Sequence, residues 1–140
     1  MTNVVDLIRL TEQVSSEMTV HWTQAMPYDI GVSEALVLSA VADEPKKSSE
    51  LAKQYGYTKA AITHIAAKLV ALGAIERVAD PSDGRIVRLA LTDEGRLMLR
   101  DAQTIGVKLR EQLFEALTEE ERATYESVQR KMLAHLQRNK

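Results

Sequence analysis

Five basic side chains lie close together in the middle of the sequence. Two fall in a run with helical periodicity, residues 58–72, and three fall in the predicted hairpin that follows it. A helix fits the major groove of duplex DNA, and an arginine at the tip of a hairpin can enter the adjacent narrow minor groove. The pattern therefore predicts a DNA contact made jointly by a helix and a hairpin. The five residues are Lys59, Lys68, Arg77, Arg85 and Arg88.

The charge of the chain is distributed unevenly. The whole sequence carries a formal net charge of −2, which by itself argues against nucleic acid. Residues 46–88, however, contain eight basic and four acidic side chains, a local charge of +4, and the remainder carries −6. A basic middle between acidic ends is expected of a DNA-facing module carried on acidic helices.

Composition and spacing disfavour several other classes of protein. Cysteine is absent, which excludes disulfides and thiolate metal sites. The three histidines, His21, His64 and His135, lack the spacing of metal ligands, so no metal is expected. No catalytic motif and no cofactor-binding motif is present, so we expect neither an enzyme nor a cofactor. No apolar run could span a bilayer and none forms a signal peptide, so we expect a cytoplasmic protein without membrane contact.

Apolar periodicity and turn residues predict six helices and one hairpin. The first helix is expected over residues 4–26, the second over 33–42, the third over 48–56 and the fourth over 58–72. Alternating runs around 75–79 and 86–91, joined by a Pro-Asp-Gly segment, predict the hairpin. Two further helices follow it. The predicted caps are Ser33, Ser48 or Ser49, Thr58, Thr92, and Thr118 in a capping box with Glu121.

These elements define the expected fold class, which is mainly α with a small β-hairpin wing (α+β). The third and fourth helices, joined by a tight turn at Gly56, form a helix-turn-helix. We expect a winged helix-turn-helix lobe over residues 32–91, flanked by long N- and C-terminal dimerisation helices in 1–31 and 92–140. The apolar stripes of those long helices need a partner surface, and a symmetric homodimer would provide one.

Several short motifs resemble the MarR-type family of bacterial transcription regulators. Residues 83–85 read Asp-Gly-Arg, and residues 89–95 read Leu-Ala-Leu-Thr-Asp-Glu-Gly, like the family's wing tip and the segment after it. Residues 49–52 and 62–77 are similar to the family at the same spacing. The resemblance covers nearly the whole chain. It implies a homodimeric winged helix-turn-helix protein that binds a palindromic operator, often as a repressor relieved by a small ligand.

On the fourth helix, burial of the apolar positions would turn the polar and small residues outward. Lys59 and Lys68 could then meet phosphates, and His64 could donate or accept a hydrogen bond. Thr63 and Ala60 could contact base edges or a thymine methyl group. The bland alternative is an ordinary solvated helix face. The complete set of candidate DNA-binding residues is Ser48, Ser49, Thr58, Lys59, Ala60, Thr63, His64, Lys68, Arg77, Asp83 and Arg85.

The wing tip and the helix starts supply the rest of this set. Arg85 is the strongest single candidate, because a guanidinium suits a narrow and strongly negative minor groove. Asp83 is expected to brace Arg85 or Arg77 rather than face phosphate, with simple turn chemistry as the alternative. Hydroxyl groups at the helix starts could cap the helices or approach phosphates.

A ligand site and a second function class remain open at this stage. The cluster Met18, His21, Trp22, Met26 and Tyr28 could receive a small aromatic or phenolic effector. The alternative, and the commoner role for Trp22 and the methionines, is a place in the dimer core. The small alanines on the fourth helix would also suit a protein surface. The alternative function is therefore a dimeric winged-helix adaptor that binds a protein without binding DNA.

Overall fold

The computed structural model describes the chain from Met1 to Lys140 as six helices and one two-stranded antiparallel sheet. The predicted fold class is confirmed. Two compact units are present, Met1–Ile105 and Gly106–Lys140, so the predicted lobe 32–91 falls within the first unit. The elements are α1 (Val4–Ala25), α2 (Val32–Ala40), α3 (Ser48–Tyr55), α4 (Lys59–Ala71), β1 (Ile75–Ala79), β2 (Val87–Leu91), α5 (Asp93–Glu115) and α6 (Glu119–Arg138).

Two of the predicted helix caps are formed as expected. The Thr58 hydroxyl oxygen accepts a hydrogen bond from the backbone N–H of Ala61 at 3.0 Å, which fixes the start of α4. Thr118 and Glu121 form a reciprocal capping box at the start of α6, with distances of 3.1 and 2.9 Å. Gly56 ends α3 in the left-handed conformation with φ +68°, which permits the tight turn between α3 and α4.

The prediction that Ser33 caps α2 was wrong. The helix already begins at Val32, with Gly31 in the capping position and no side-chain cap. Ser33 is therefore inside the first turn, and its hydroxyl oxygen accepts a hydrogen bond from the Tyr57 hydroxyl at 3.3 Å. A contact between residues far apart in sequence has taken the place of the local one, which a reading of neighbouring residues could not detect.

The prediction of a serine cap on α3 was also wrong. Lys47 occupies the capping position, so Ser48 and Ser49 are the first two residues of the helix. The Glu50 carboxylate accepts the backbone N–H of Lys47 at 3.3 Å, which supplies the side-chain half of a capping box from the third helical residue. The hydroxyl groups of the two serines consequently take no part in starting the helix.

The core of the first unit lies between the helix-turn-helix and the base of the hairpin. On α4, Ile62, Ile65 and Leu69 are buried at three- and four-residue steps, as the periodicity predicted. Leu89 is the buried residue of β2 and stands opposite Arg77 in the register of the sheet. The fully buried large side chains are Leu38, Leu51, Ile62, Leu69, Ile75, Val37 and Val41.

The start of α5 is fitted closely against the turn that precedes β1. Thr92 donates its backbone N–H to the Ala74 carbonyl at 3.1 Å and its hydroxyl to the Gly73 carbonyl, and it also caps α5 through the N–H of Gly95 at 2.9 Å. A Cβ atom on Gly95 would lie only 1.9 Å from the Ala74 carbonyl oxygen. The Leu-Thr-x-x-Gly motif therefore has a packing reason, and the predicted Thr92 cap is confirmed.

The long helices bury few of their apolar residues within the chain. Trp22 is the buried residue of α1, and α6 has none. In the second unit, Arg122 ties the turn between α5 and α6 by donating to the carbonyls of Phe114 at 3.1 Å and Leu117 at 2.7 Å. No helix combines the length and the apolar character that crossing a membrane requires. Exposed apolar residues on α1 and α6 include Val4, Leu7, Ile8, Val14, Tyr125, Val128, Met132, Leu133 and Leu136.

Candidate nucleic-acid interface

The outward ridge of α4 is polar or small throughout. Ala60, Thr63, His64 and Ala67 are exposed on the side opposite the buried apolar residues, as the sequence analysis expected. The Thr63 hydroxyl donates its hydrogen to the Lys59 carbonyl at 2.9 Å, so the methyl group and an oxygen lone pair remain for an external partner. Small alanines on the ridge would let the helix backbone approach a groove floor closely. We therefore treat this ridge as the candidate base-reading surface.

At the tip of the wing, Arg85 projects into solvent with 91% of its side chain exposed. Its Nε and Nη2 atoms donate to the two carboxylate oxygens of Asp83, each at 3.1 Å, and Asp83 also accepts the backbone N–H of Arg85. This pairing lowers the pKa of Asp83 and raises the pKa of Arg85. Of the two partners predicted for Asp83, the structure shows Arg85. An exposed ion pair of this kind is weak and can be exchanged for phosphate contacts.

The base of the wing is held by a second arginine, Arg88, which was among the basic residues predicted on the hairpin but not in the set of candidate DNA-binding residues. Arg88 donates from Nε to the nearly buried carboxylate of Asp80 and from Nη1 to Glu50 at 3.2 Å. Asp80 also accepts the backbone N–H groups of Ser82 and Asp83 at 3.0 and 3.1 Å. The hydrogen bond from Arg88 lowers the pKa of Asp80, and the same contact raises the pKa of Arg88.

This Arg88 cluster joins the wing to the start of α3. Glu50, which accepts from Arg88, is the same residue that accepts the N–H of Lys47 at the helix start. Backbone hydrogen bonds between Lys46 and Leu89, 3.0 and 2.7 Å long, add a bridge to the edge of β2. The wing and the N-terminus of α3 are therefore joined by both side-chain and backbone hydrogen bonds. Only the sign of the charges could have hinted at this, because Glu50 and Arg88 are 38 residues apart.

The eight basic residues of the lobe divide into paired and unpaired groups. Lys46 pairs with Glu44 at 3.2 Å, and carboxylates also pair with Lys68, Arg85 and Arg88. The remaining four make no ion pair, so their charges are available to an external anion. They are Lys47, Lys53, Lys59 and Arg77. Lys47 and Lys53 were absent from the candidate set, although Lys47 immediately precedes α3 and Lys53 lies in its last turn.

Lys68 is a candidate phosphate contact whose ammonium group is already paired within the chain. Its ammonium group lies 2.8 Å from Glu34 and 3.7 Å from Asp29, and only 32% of the side chain is exposed. Lys59 and Lys68 are nine positions apart, which places them on opposite flanks of the helix, since each residue turns it by about 100°. The sequence could not show that two carboxylates, Asp29 before α2 and Glu34 in its first turn, would pair with this lysine. The role of Lys68 as a phosphate contact stays a prediction.

The hydroxyl groups at the helix starts differ in availability. Ser49 is exposed and Ser48 is partly buried, and neither hydroxyl is engaged in capping. Thr58 uses its hydroxyl oxygen to cap α4 while remaining exposed. The first N–H groups of both helices carry the partial positive charge of a helix N-terminus, which favours phosphate.

The five candidate ligand residues are not equally accessible. Trp22 and Met26 are each 8% exposed, and the Trp22 indole N–H donates to the Ile30 carbonyl at 3.0 Å. Tyr28 donates its hydroxyl to Asp101 at 2.7 Å, which raises the pKa of the tyrosine. His21 is exposed and Met18 is partly exposed. No group of three or more potential metal-ligating side chains is arranged to hold an ion.

A helix-turn-helix with an attached wing, an exposed reading ridge and an arginine at the wing tip defines a class of DNA-binding regulators. Comparison with known proteins places the chain within that class. Residues 28–86 match the model of the MarR family. The chain is 30% identical over 122 residues to the transcriptional regulator HosA of Escherichia coli O111:H-, covering 86% of this chain and 90% of that protein. It is also 31% identical over 111 residues to the transcriptional repressor MprA of E. coli K12, covering 76% of this chain and 63% of MprA.

Solved structures agree with this assignment. A MarR mutant from E. coli complexed with operator DNA is 28% identical, with a TM-score of 0.77 and coverage of 93% of this chain and 95% of that one. The PcaV regulator of Streptomyces coelicolor shares the fold, with a TM-score of 0.80 at 23% identity and coverage of 97% and 98%. The chain belongs to the MarR family. It is a DNA-binding transcriptional regulator and not an enzyme. DNA binding excludes the alternative of a winged-helix adaptor that binds a protein without binding DNA.

Proposed function

We propose that the protein is a homodimeric repressor that binds a palindromic operator. Each copy places the outward ridge of α4 in a major groove and Arg85 of the wing in the adjacent minor groove. The observation that carries this proposal is the geometry of the wing tip. Arg85 is almost fully exposed, and its Nε and Nη2 both donate hydrogen bonds to the Asp83 carboxylate. A guanidinium oriented in advance loses less conformational freedom when it enters a narrow groove.

The basic side chains of the lobe that make no ion pair supply the non-specific part of the affinity for DNA. Lys47, Lys53, Lys59 and Arg77 make no ion pair that DNA would have to break. Phosphate contacts by such residues release counterions, so affinity should fall steeply with added salt. Thr63, Ala60 and His64 would then read base edges from the ridge. Thr58, Ser48 and Ser49 would bring hydroxyl and backbone N–H groups to the backbone of the DNA.

The homodimer is supported by the exposed apolar faces of the long helices. On α6, Tyr125, Met132 and Leu136 are 45%, 52% and 65% exposed and share one face at helical spacing. A second copy of the same chain would cover such faces symmetrically. A two-fold dimer in turn requires a two-fold operator, with half-site centres about one helical turn apart. Repressor action is supported by the curated name of the relative MprA.

Replacing Arg85 by alanine tests the proposal. We expect operator affinity to fall by about tenfold or more in a gel-shift titration, because a minor-groove arginine is lost. Arg138→Ala is the matched control, since it removes an equal charge from an exposed arginine of α6. The control should leave affinity within about twofold, and both variants should keep the dimer folded. Equal affinities for wild type and Arg85→Ala would refute the wing assignment.

We further propose that a small aromatic or phenolic effector modulates DNA affinity near the end of α1. Accessible His21 and partly accessible Met18 adjoin the buried indole of Trp22. A ligand that reached Trp22, Met26 or Tyr28 would compete with the contacts to Ile30 and Asp101. Fluorescence of the single tryptophan reports such binding directly. The idea fails if phenolic compounds that release the operator leave this fluorescence unchanged.

A further inference from the structure

Lys68 differs from Lys59, the other lysine of the recognition helix α4, because it is paired with carboxylates of the same chain. It lies near the C-terminal end of α4, and its Nζ donates to Glu34 Oε1 at 2.8 Å. Glu34 belongs to the first turn of α2, and its side chain is only 14% exposed. Asp29, from the segment before α2, lies 3.7 Å from the same ammonium group. Two carboxylates from one short segment thus converge on a single lysine.

We propose that Lys68 is a positioning residue for DNA binding, which fixes α4 against the start of α2 through Glu34 and Asp29 instead of contacting a phosphate. This inference rests on the proposed function. A recognition helix must be held to a fraction of an ångström for its ridge to match base edges. Packing of Ile62 and Leu69 fixes the depth of α4, whereas a lateral ion pair on its flank resists rotation and sliding of the helix.

The electrostatic state of the pair agrees with this role. Burial raises the pKa of Glu34, but the hydrogen bond from Lys68, the backbone hydrogen bonds and the charge of Lys68 together bring this pKa below its ordinary value. The hydrogen bond with Glu34 raises the pKa of Lys68. Both groups are therefore charged across the physiological range. A phosphate approaching Lys68 would meet a lysine already neutralised by two carboxylates, so little net attraction would remain.

The segment that holds Lys68 is itself anchored on its other side. Tyr28 donates its hydroxyl to Asp101 of α5 at 2.7 Å, and the Ile30 carbonyl accepts the indole N–H of Trp22 at 3.0 Å. Residues 28–34 therefore contact α1, α5 and α4 through polar side chains within the first unit. The Lys68–Glu34 ion pair consequently links α4 to a segment that is itself held by α1 and α5.

Charge exchange separates a positioning role from a phosphate contact. The variants are Lys68→Glu alone, Lys68→Glu with Glu34→Lys, and Lys68→Gln, with Lys59→Gln as the comparison for a phosphate contact. Operator and unrelated DNA are titrated with the full-length dimer at several salt concentrations. We expect Lys68→Glu to weaken operator binding by about tenfold, within the range of coupling between contacting residues, and the exchanged pair to recover most of that loss.

The salt dependence gives a second readout that a purely structural role would not move. Lys59→Gln removes one phosphate contact from each copy of the dimer, so it should reduce the slope of log affinity against log salt by about 1.8, about 0.9 for each contact. Lys68→Gln should leave the slope unchanged and lower the ratio of operator to unrelated DNA affinity. The proposal is overturned if the exchanged pair binds as weakly as Lys68→Glu, or if Lys68→Gln reduces the slope as Lys59→Gln does. Failure of the wild-type protein to prefer any palindrome would instead refute the proposed function.

Discussion

The winged lobe and the long terminal helices are built in contrasting ways. The lobe buries its large apolar side chains within one chain, with Leu38, Leu51 and Leu69 fully inaccessible. Four of its eight basic residues are paired with carboxylates, among them Arg88 and Lys68. In contrast, α6 buries no residue and α1 buries only Trp22.

This difference indicates where each part obtains its stability. Helices in water draw most of their stability from packing of an amphipathic face, and short isolated helices are only marginally stable. The lobe provides that packing internally, so its fold should depend little on protein concentration. The terminal helices expose their faces, so their stability should depend on a second copy. Variants that affect one part and not the other can break this contrast.

The largest effect is expected where α5 meets the lobe. Gly95→Ala would place a methyl group 1.9 Å from the Ala74 carbonyl oxygen, and backbone must move to admit it. Alanine normally favours a helix over glycine by about 1 kcal/mol, but overpacking at such a distance should cost about 3 kcal/mol or more. We expect urea unfolding to show a loss of this order. Gly84→Ala, with no atom within 4 Å of the added group, should be within about 0.5 kcal/mol of wild type.

The Gly95 prediction also separates packing from helix propensity. If Gly95→Ala were as stable as Gly84→Ala, the close fit of α5 against the turn before β1 would not matter to the fold. If both variants were unstable, the loss would come from something other than the clash with the Ala74 carbonyl oxygen. Either result would weaken the claim that the lobe is held by close internal packing.

A smaller effect is expected from a charge on the exposed face of α6. Met132→Asp would bury an unpaired carboxylate in the proposed dimer contact, which should raise the dissociation constant by about 100-fold. Ala134→Asp is the control on the opposite side of the same helix. Sedimentation equilibrium over a range of concentrations measures both. Identical association of the two variants would exclude this face of α6 from the dimer contact.

Local signals in the sequence predicted most of the fold. Thr58 and Thr118 were recognised as caps, because an N-cap bonds to a backbone group only three residues away. Gly56 was recognised because a left-handed residue favours glycine. The hairpin followed from alternation around a turn segment. Each of these features is determined by neighbours along the chain, which is why a single sequence reveals it.

Features that depend on distant residues could not be predicted in the same way. The partner of Arg88 in α3 is 38 residues away, and the partner of Lys68 is 34 residues away. Ser33 is bonded to a tyrosine 24 residues later, and so it is not a cap. A charge count over 46–88 predicted a DNA-facing lobe, but it could not distinguish basic side chains paired with carboxylates from basic side chains open to phosphate. The sequence therefore could not show that Lys68 and Arg88 each pair with carboxylates.

The smallest expected effect is a loss of stability at low pH. It should affect the winged lobe, where Asp80 pairs with Arg88, rather than the terminal helices. The folded lobe lowers the pKa of Asp80, mainly through its hydrogen bond with Arg88. As pH falls below the ordinary aspartate value of 3.8, unfolded chains take up this proton before folded chains do, so stability is lost. Asp80→Asn should therefore be less stable than wild type near neutral pH, and the difference should shrink towards about pH 3. Asp43→Asn, which removes an exposed carboxylate without an ion pair, should track wild type. Urea midpoints at each pH measure both, and parallel curves for Asp80→Asn and wild type would mean that the Arg88 contact does not stabilise the wing.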